Sequence, residues 1–133
     1  MALFWKFDIK VDVLNALLSF IDALIEGGDR IGCWHLSSFY GHPKTSQRVE
    51  SWRLLNSLKD SSQLPWLMIG DFSEIRCQAE KKGGASRPVQ QMAWFNASIN
   101  YCGLKEVRFV GPKFMWLYQR RDGTQIKERL DKA

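Results

Sequence analysis

Residues 64–75 read LPWLMIGDFSEI, an apolar run that ends on Gly70 and Asp71. An acid at the end of a buried strand has two uses. It can accept backbone hydrogen bonds and shape the loop that follows, or it can be held at the rim of a sheet to do chemistry. Tyr40 poses the same alternative at the end of RIGCWHLSSFY: an amphipathic aromatic at a sheet edge, or a group that faces a ligand. His42, in YGHP, reads as a loop residue, since no second His or Cys lies at metal spacing. Asp131, in RLD, reads locally as half of an exposed ion pair with Arg129 or Lys132, a contact of little worth. Lys81, Lys82, Arg120, Arg121 and Lys127 are either a solvated charge pattern or a surface that meets phosphates.

The elements that must position these residues follow from periodicity. Ile9, Val11 and Val13 alternate with Lys10 and Asp12, which is strand spacing. NALLSFIDALIE fits a helical stripe through Leu14, Leu17, Leu18, Ile21, Leu24 and Ile25, and its second half fits a strand; we favour the strand. A turn signal at 27–29 precedes the long strand ending at Tyr40. Val49, Trp52, Leu55 and Leu58, with Arg48, Glu50, Arg53 and Lys59 between them, predict an amphipathic helix over about 46–60, with Thr45 or Ser46 as its N-cap. Strand, helix and the strand PWLMIG then form a βαβ unit. A polar loop over 76–87 leads to a second helix over about 88–102, started near Pro88, striped by Met92, Phe95, Ile99 and Cys102 and stopped by Gly103. Two further strands flank the turn Arg121-Asp122-Gly123-Thr124, and Phe114 and Trp116 on the first of them are expected in the core.

The bulk numbers bound the class. A chain of 133 residues is the size of one domain, and 45% hydrophobic with 25% charged residues is the balance of a globular protein. Six Trp and eight Phe imply bulky packing on sheets. The net charge of +5 points toward an anionic partner. Three separated cysteines without a C-x-x-C pair argue against a zinc module or a disulfide scaffold and suit a reducing, intracellular compartment. The stretch 11–25 is too interrupted to span a membrane.

The blocks SSFYGHP, LPWLMIGDFSEI, EKKGGASRPVQQMAWFNASINYCGL, GPKFMW and IKERLDKA stand in one order. Together they resemble plant LINE-type retrotransposon endonuclease domains, of the endonuclease/exonuclease/phosphatase superfamily. The resemblance covers nearly the whole chain. It implies an α/β fold, here a partial four-layer DNase I-like sandwich with mixed, largely antiparallel sheets. It also implies cleavage of DNA phosphodiesters with Mg2+, in the nucleus. Carried over, Asp71 matches the aspartate of the G-D-F-N motif that positions the attacking water, Tyr40 the tyrosine that touches the scissile phosphate, and Asp131 the aspartate that orients a catalytic histidine. Ser73 stands where that motif has asparagine, and a hydroxyl lacks the amide's two-sided reach.

The family's metal-binding glutamate lies before the block with which this chain opens, and its Ser-Asp-His strand lies after RLDKA. Mg2+ binding is therefore in doubt. The expectation is a truncated, inactive relic of the nuclease, since a site whose members act as a unit loses useful rate when several go. An active Mg2+-dependent endonuclease and a non-catalytic nucleic-acid-binding module are the alternatives. Missing strands are expected to leave sheet edges uncovered, open to a partner or to aggregation.

Overall fold

The computed structural model describes residues 2–27 and 32–133. Most of the predicted turn at 27–29 lies outside the described residues. Eight strands and two α-helices follow in the order β1 (Val11–Ala16), β2 (Phe20–Glu26), β3 (Cys33–Tyr40), α1 (Arg48–Asp60), β4 (Trp66–Asp71), β5 (Lys81–Lys82), α2 (Val89–Tyr101), β6 (Trp116–Gln119), β7 (Gln125–Glu128) and β8 (Asp131–Lys132). One sheet has five strands in the order β1-β2-β3-β4-β8, and a second has three in the order β5-β7-β6. Only β3 and β4 run parallel among the described pairs, joined by α1 as the βαβ pattern requires. NALLSFIDALIE is strand, turn and strand: Val11 faces Ile25 and Ala16 faces Ile21 in the β1–β2 hairpin.

Alternation along the strands divides the five-stranded sheet into two faces. Phe20, Phe39 and Met68 point to one side, where Trp52, Leu55 and Leu58 of α1 and Phe95, Ile99 and Cys102 at the end of α2 cover them. Aromatic rings knit this core: Trp52 stacks on Phe95 at 4.7 Å, and Phe72 lies 5.2 Å from Phe39 and 5.6 Å from Phe95. Such pairs contribute roughly 0.5–1.5 kcal/mol each beyond the area they bury. Ala23, Ile25 and Leu36 form a smaller cluster on the opposite face, with Trp34, Leu67 and Ile69 packed against it.

Three sequence expectations need correction. Neither Thr45 nor Ser46 caps α1. A 3-10 turn over Thr45–Gln47 leads into it, and Gln47 takes the cap position without a side-chain hydrogen bond. The first helical residue, Arg48, is buried rather than solvated. Trp116 is 40% exposed and stacks on Tyr118 instead of entering the core, because β6 is the edge of the small sheet. The α2 stripe is as expected, with Met92, Phe95, Ile99 and Cys102 all buried. Gly103 ends the helix at φ +65, its N–H donating to Asn100 and that of Leu104 to Ile99, the pattern of a Schellman cap.

Candidate active site

The register of the large sheet brings three of the sequence candidates into one row. Tyr40 pairs with Asp71 across β3 and β4, and Asp71 pairs with Asp131 across β4 and β8. Paired residues project from the same face, so the phenol and both carboxylates stand side by side on the face away from the helices. The row lies at the carboxyl ends of the parallel strands, where open α/β sheets place their ligands.

Local backbone chemistry holds this end together. The Gly41 N–H donates to the Asp71 carbonyl at 2.7 Å, and the Phe72 N–H donates to the Leu130 carbonyl at 3.0 Å. Because Phe72 and Leu130 share a ladder hydrogen bond, alternation makes Asp71 and Asp131 a non-hydrogen-bonded pair, the closer kind of antiparallel neighbour. Asp71 also shapes its own loop: its Oδ1 accepts the Ser73 N–H at 2.6 Å, an Asx turn. Both local readings of Asp71 therefore hold at once, as turn former and as rim acid.

Ser73 is buried at φ +56, the one non-glycine with positive φ among the described residues. Its hydroxyl donates to the Gly41 carbonyl at 2.9 Å and so ties the loops after β3 and β4 rather than reaching into the row. The carboxyl of Asp71 titrates above its ordinary value. Burial is the larger cause and the Asp131 charge adds to it, while the Ser73 N–H and Lys132 act in the opposite direction.

Asp131 is exposed, and the ion pair expected with Arg129 or Lys132 is not the one formed. Both cations turn to Glu80, Arg129 at 3.4 Å and Lys132 at 3.2 Å. Burial pushes the Lys132 ammonium below the usual lysine range, with Glu80 opposing the shift. His42 is a loop residue, its Nδ1 accepting the Lys44 N–H. His35 lies in the core, its Nε2 2.7 Å from Asp22.

The basic candidates divide. Lys81 is turned inward onto Glu128. Lys82 and Lys127 are partners across β5 and β7 and share the other face of the small sheet. Arg120 and Arg121 are exposed at the β6–β7 turn. Sequence reasoning passed over Arg48, Glu74, Arg87 and Glu128, which form buried ion pairs behind the row. Glu74 carried a signal, because it lies between Phe72 and Ile75, both core residues.

No family model matches the chain, and no curated protein matches it. Its fold is a mixed α/β arrangement of the DNase I-like kind. Among solved structures it is similar to the endonuclease domain of TRAS1, a telomere-specific non-LTR retrotransposon, with a TM-score of 0.68 and 14% identity over 96% of this chain. The chain spans 56% of the length of that neighbour. Among the described residues no helix is long and apolar enough to cross a membrane.

Proposed function

We propose that Tyr40, Asp71 and Asp131 are the phosphodiester-facing part of a DNA endonuclease site of the LINE retrotransposon type, and that this chain by itself binds DNA without cutting it. The observation that carries the first half is the single row: three residues singled out along 92 positions of sequence come together at one strand end. The face bearing Lys82 and Lys127, with Arg120 and Arg121, offers cations for neighbouring phosphates. A chain in this role works where nuclear DNA is accessible.

What supports silence is that the histidines and the motif serine are engaged away from the row. His35 is engaged in the core and His42 in its loop, and the Ser73 hydroxyl is committed to Gly41. Mg2+ is the metal implied by the resemblance. No group of three or more His, Cys, Asp or Glu that could hold an ion occurs among the described residues. The two opposed carboxylates still fit a shared Mg2+, which is commonly held by one or two carboxylates together with substrate phosphate and water. Asp71 and Asp131 would hold it, and it would supply charge neutralisation at the phosphoryl oxygens.

The test is supercoiled plasmid with the purified chain and Mg2+, alongside Asp71→Ala, read for nicking and for retarded mobility over a salt series. The expected result is salt-sensitive retardation without nicking. Nicking that disappears in Asp71→Ala overturns the silent reading, and no retardation at low salt overturns DNA binding.

A further inference from the structure

The ladder that joins Asp131 to Asp71 is only two residues long on the β8 side, too little to fix a row across three strands. Behind it runs a chain of alternating charges. Arg48 Nη1 lies 2.7 Å from Glu74 Oε2, Arg87 Nε lies 3.0 Å from Glu74 Oε1, and Arg87 Nη2 lies 2.8 Å from Glu128 Oε2. Lys81 completes it on the other oxygen of Glu128. Every one of these side chains is at most 16% exposed. The Arg87–Glu74 contact is electrostatic, since Arg87 Nε does not align as a hydrogen-bond donor.

Three of these residues connect to a segment that carries one member of the row. Glu74 follows Asp71 by one turn of loop, and its Oε1 also accepts the Ile75 N–H. Glu128 precedes Asp131 on the segment that runs from β7 into β8. Arg48 donates to the carbonyls of His42 at 3.3 Å and Pro43 at 3.2 Å, the loop that follows Tyr40. Arg87 bridges the two glutamates, and so connects the small sheet to the end of the large one.

Given that the row meets a phosphodiester as proposed above, we infer that Arg48, Glu74, Arg87 and Glu128 are its positioning residues: they set the spacing of Tyr40, Asp71 and Asp131. Buried ion pairs add little net stability over apolar packing of the same volume. What a guanidinium fork supplies is direction, because its donors are planar and fixed. A residue that merely filled the core would not need to reach two carboxylates, one in the loop after β4 and one on β7.

The experiment is amide hydrogen exchange by NMR on the free chain, without DNA or Mg2+, so its result is independent of whether the row acts on a phosphodiester. The reporters are the Gly41 and Phe72 amides, which bridge the row, and the His35 amide, bonded to Pro65 at the far end of the same strands. In Arg87→Met, exchange at Gly41 and Phe72 is expected to accelerate roughly tenfold or more, with His35 changed far less, the signature of local rather than global opening. Arg87→Lys keeps the charge without the fork and is expected not to restore protection. It also decides by the same criterion if Arg87→Met does not fold. Equal acceleration at all three amides, full protection in Arg87→Lys, or no change at Gly41 and Phe72 overturns the inference.

Discussion

Asp71 has an ionised form that the fold disfavours, because burial and the facing Asp131 both raise its carboxyl above the ordinary range. The protonated form therefore favours the folded chain. That contribution is complete below the unfolded value of 3.8 and is lost as pH rises through the raised folded value. Asp131→Asn removes the facing charge and is expected to stabilise the chain at neutral pH by a few tenths to about 1 kcal/mol. In the same variant the Asp71 carboxyl should titrate lower, as read by carboxyl-carbon NMR. An unchanged Asp71 titration in a folded Asp131→Asn protein contradicts the pairing of the two acids. Ser73 teaches the reverse lesson about legibility. In sequence it stood out as a chemical departure from asparagine, but in the fold its main feature is a left-handed backbone, which asparagine tolerates better than serine. Ser73→Ala keeps the strained φ and loses the bond to Gly41, so urea denaturation should register a loss of about 1–2 kcal/mol. Wild-type stability in that variant would mean the two loops are not tied there.

Strands β3 and β4 approach so closely at the row that two glycines are obligatory. A Cβ on Gly70, at φ +146, would lie 1.9 Å from the Phe39 carbonyl oxygen, and one on Gly41 would lie 2.1 Å from that of Phe72. Gly70→Ala should destabilise the chain by more than about 2 kcal/mol, since backbone, not a flexible side chain, has to give way. A denaturation midpoint equal to wild type would contradict this close packing. The elements themselves were largely legible, because periodicity reports which face of a helix or strand is apolar: the βαβ unit, the α2 stripe and the β6–β7 hairpin all follow from it. Charge is where periodicity fails. Arg48 looked like one more solvated residue of α1, and Lys81 like one more surface cation, because nothing local says that Glu74 and Glu128 wait in the interior. Long-range partners of buried ions have no signature in spacing. The row itself was accessible only through the resemblance, which named three distant residues that the register then placed together.

The molecule as a whole leaves many large apolar side chains exposed. β1 is the edge of the five-stranded sheet, and Asp12 is the one charge within its six residues. Val13 and Leu14 on it are exposed, as are Leu17 and Leu18 in the turn that follows, Leu18 at 97%. Edge strands of this kind offer unpaired N–H and C=O groups beside apolar side chains, and so template pairing with another chain. A register shift between Val13 and Asn15 bends β1, which blunts the edge only in part. We therefore expect the isolated chain to self-associate as its concentration rises, through β1 and its turn. Leu14→Lys combined with Leu18→Lys puts charge on that edge, and both positions are exposed enough that folding stability should stay within about 0.5 kcal/mol of wild type. Sedimentation velocity over a dilution series should then show a larger monomer fraction in the double variant at every concentration, with matching thermal melts. A wild-type chain that sediments as a monomer throughout would overturn self-association, and a double variant that associates equally would place the sticky surface elsewhere, with the exposed Phe109 and Val110 the next to substitute.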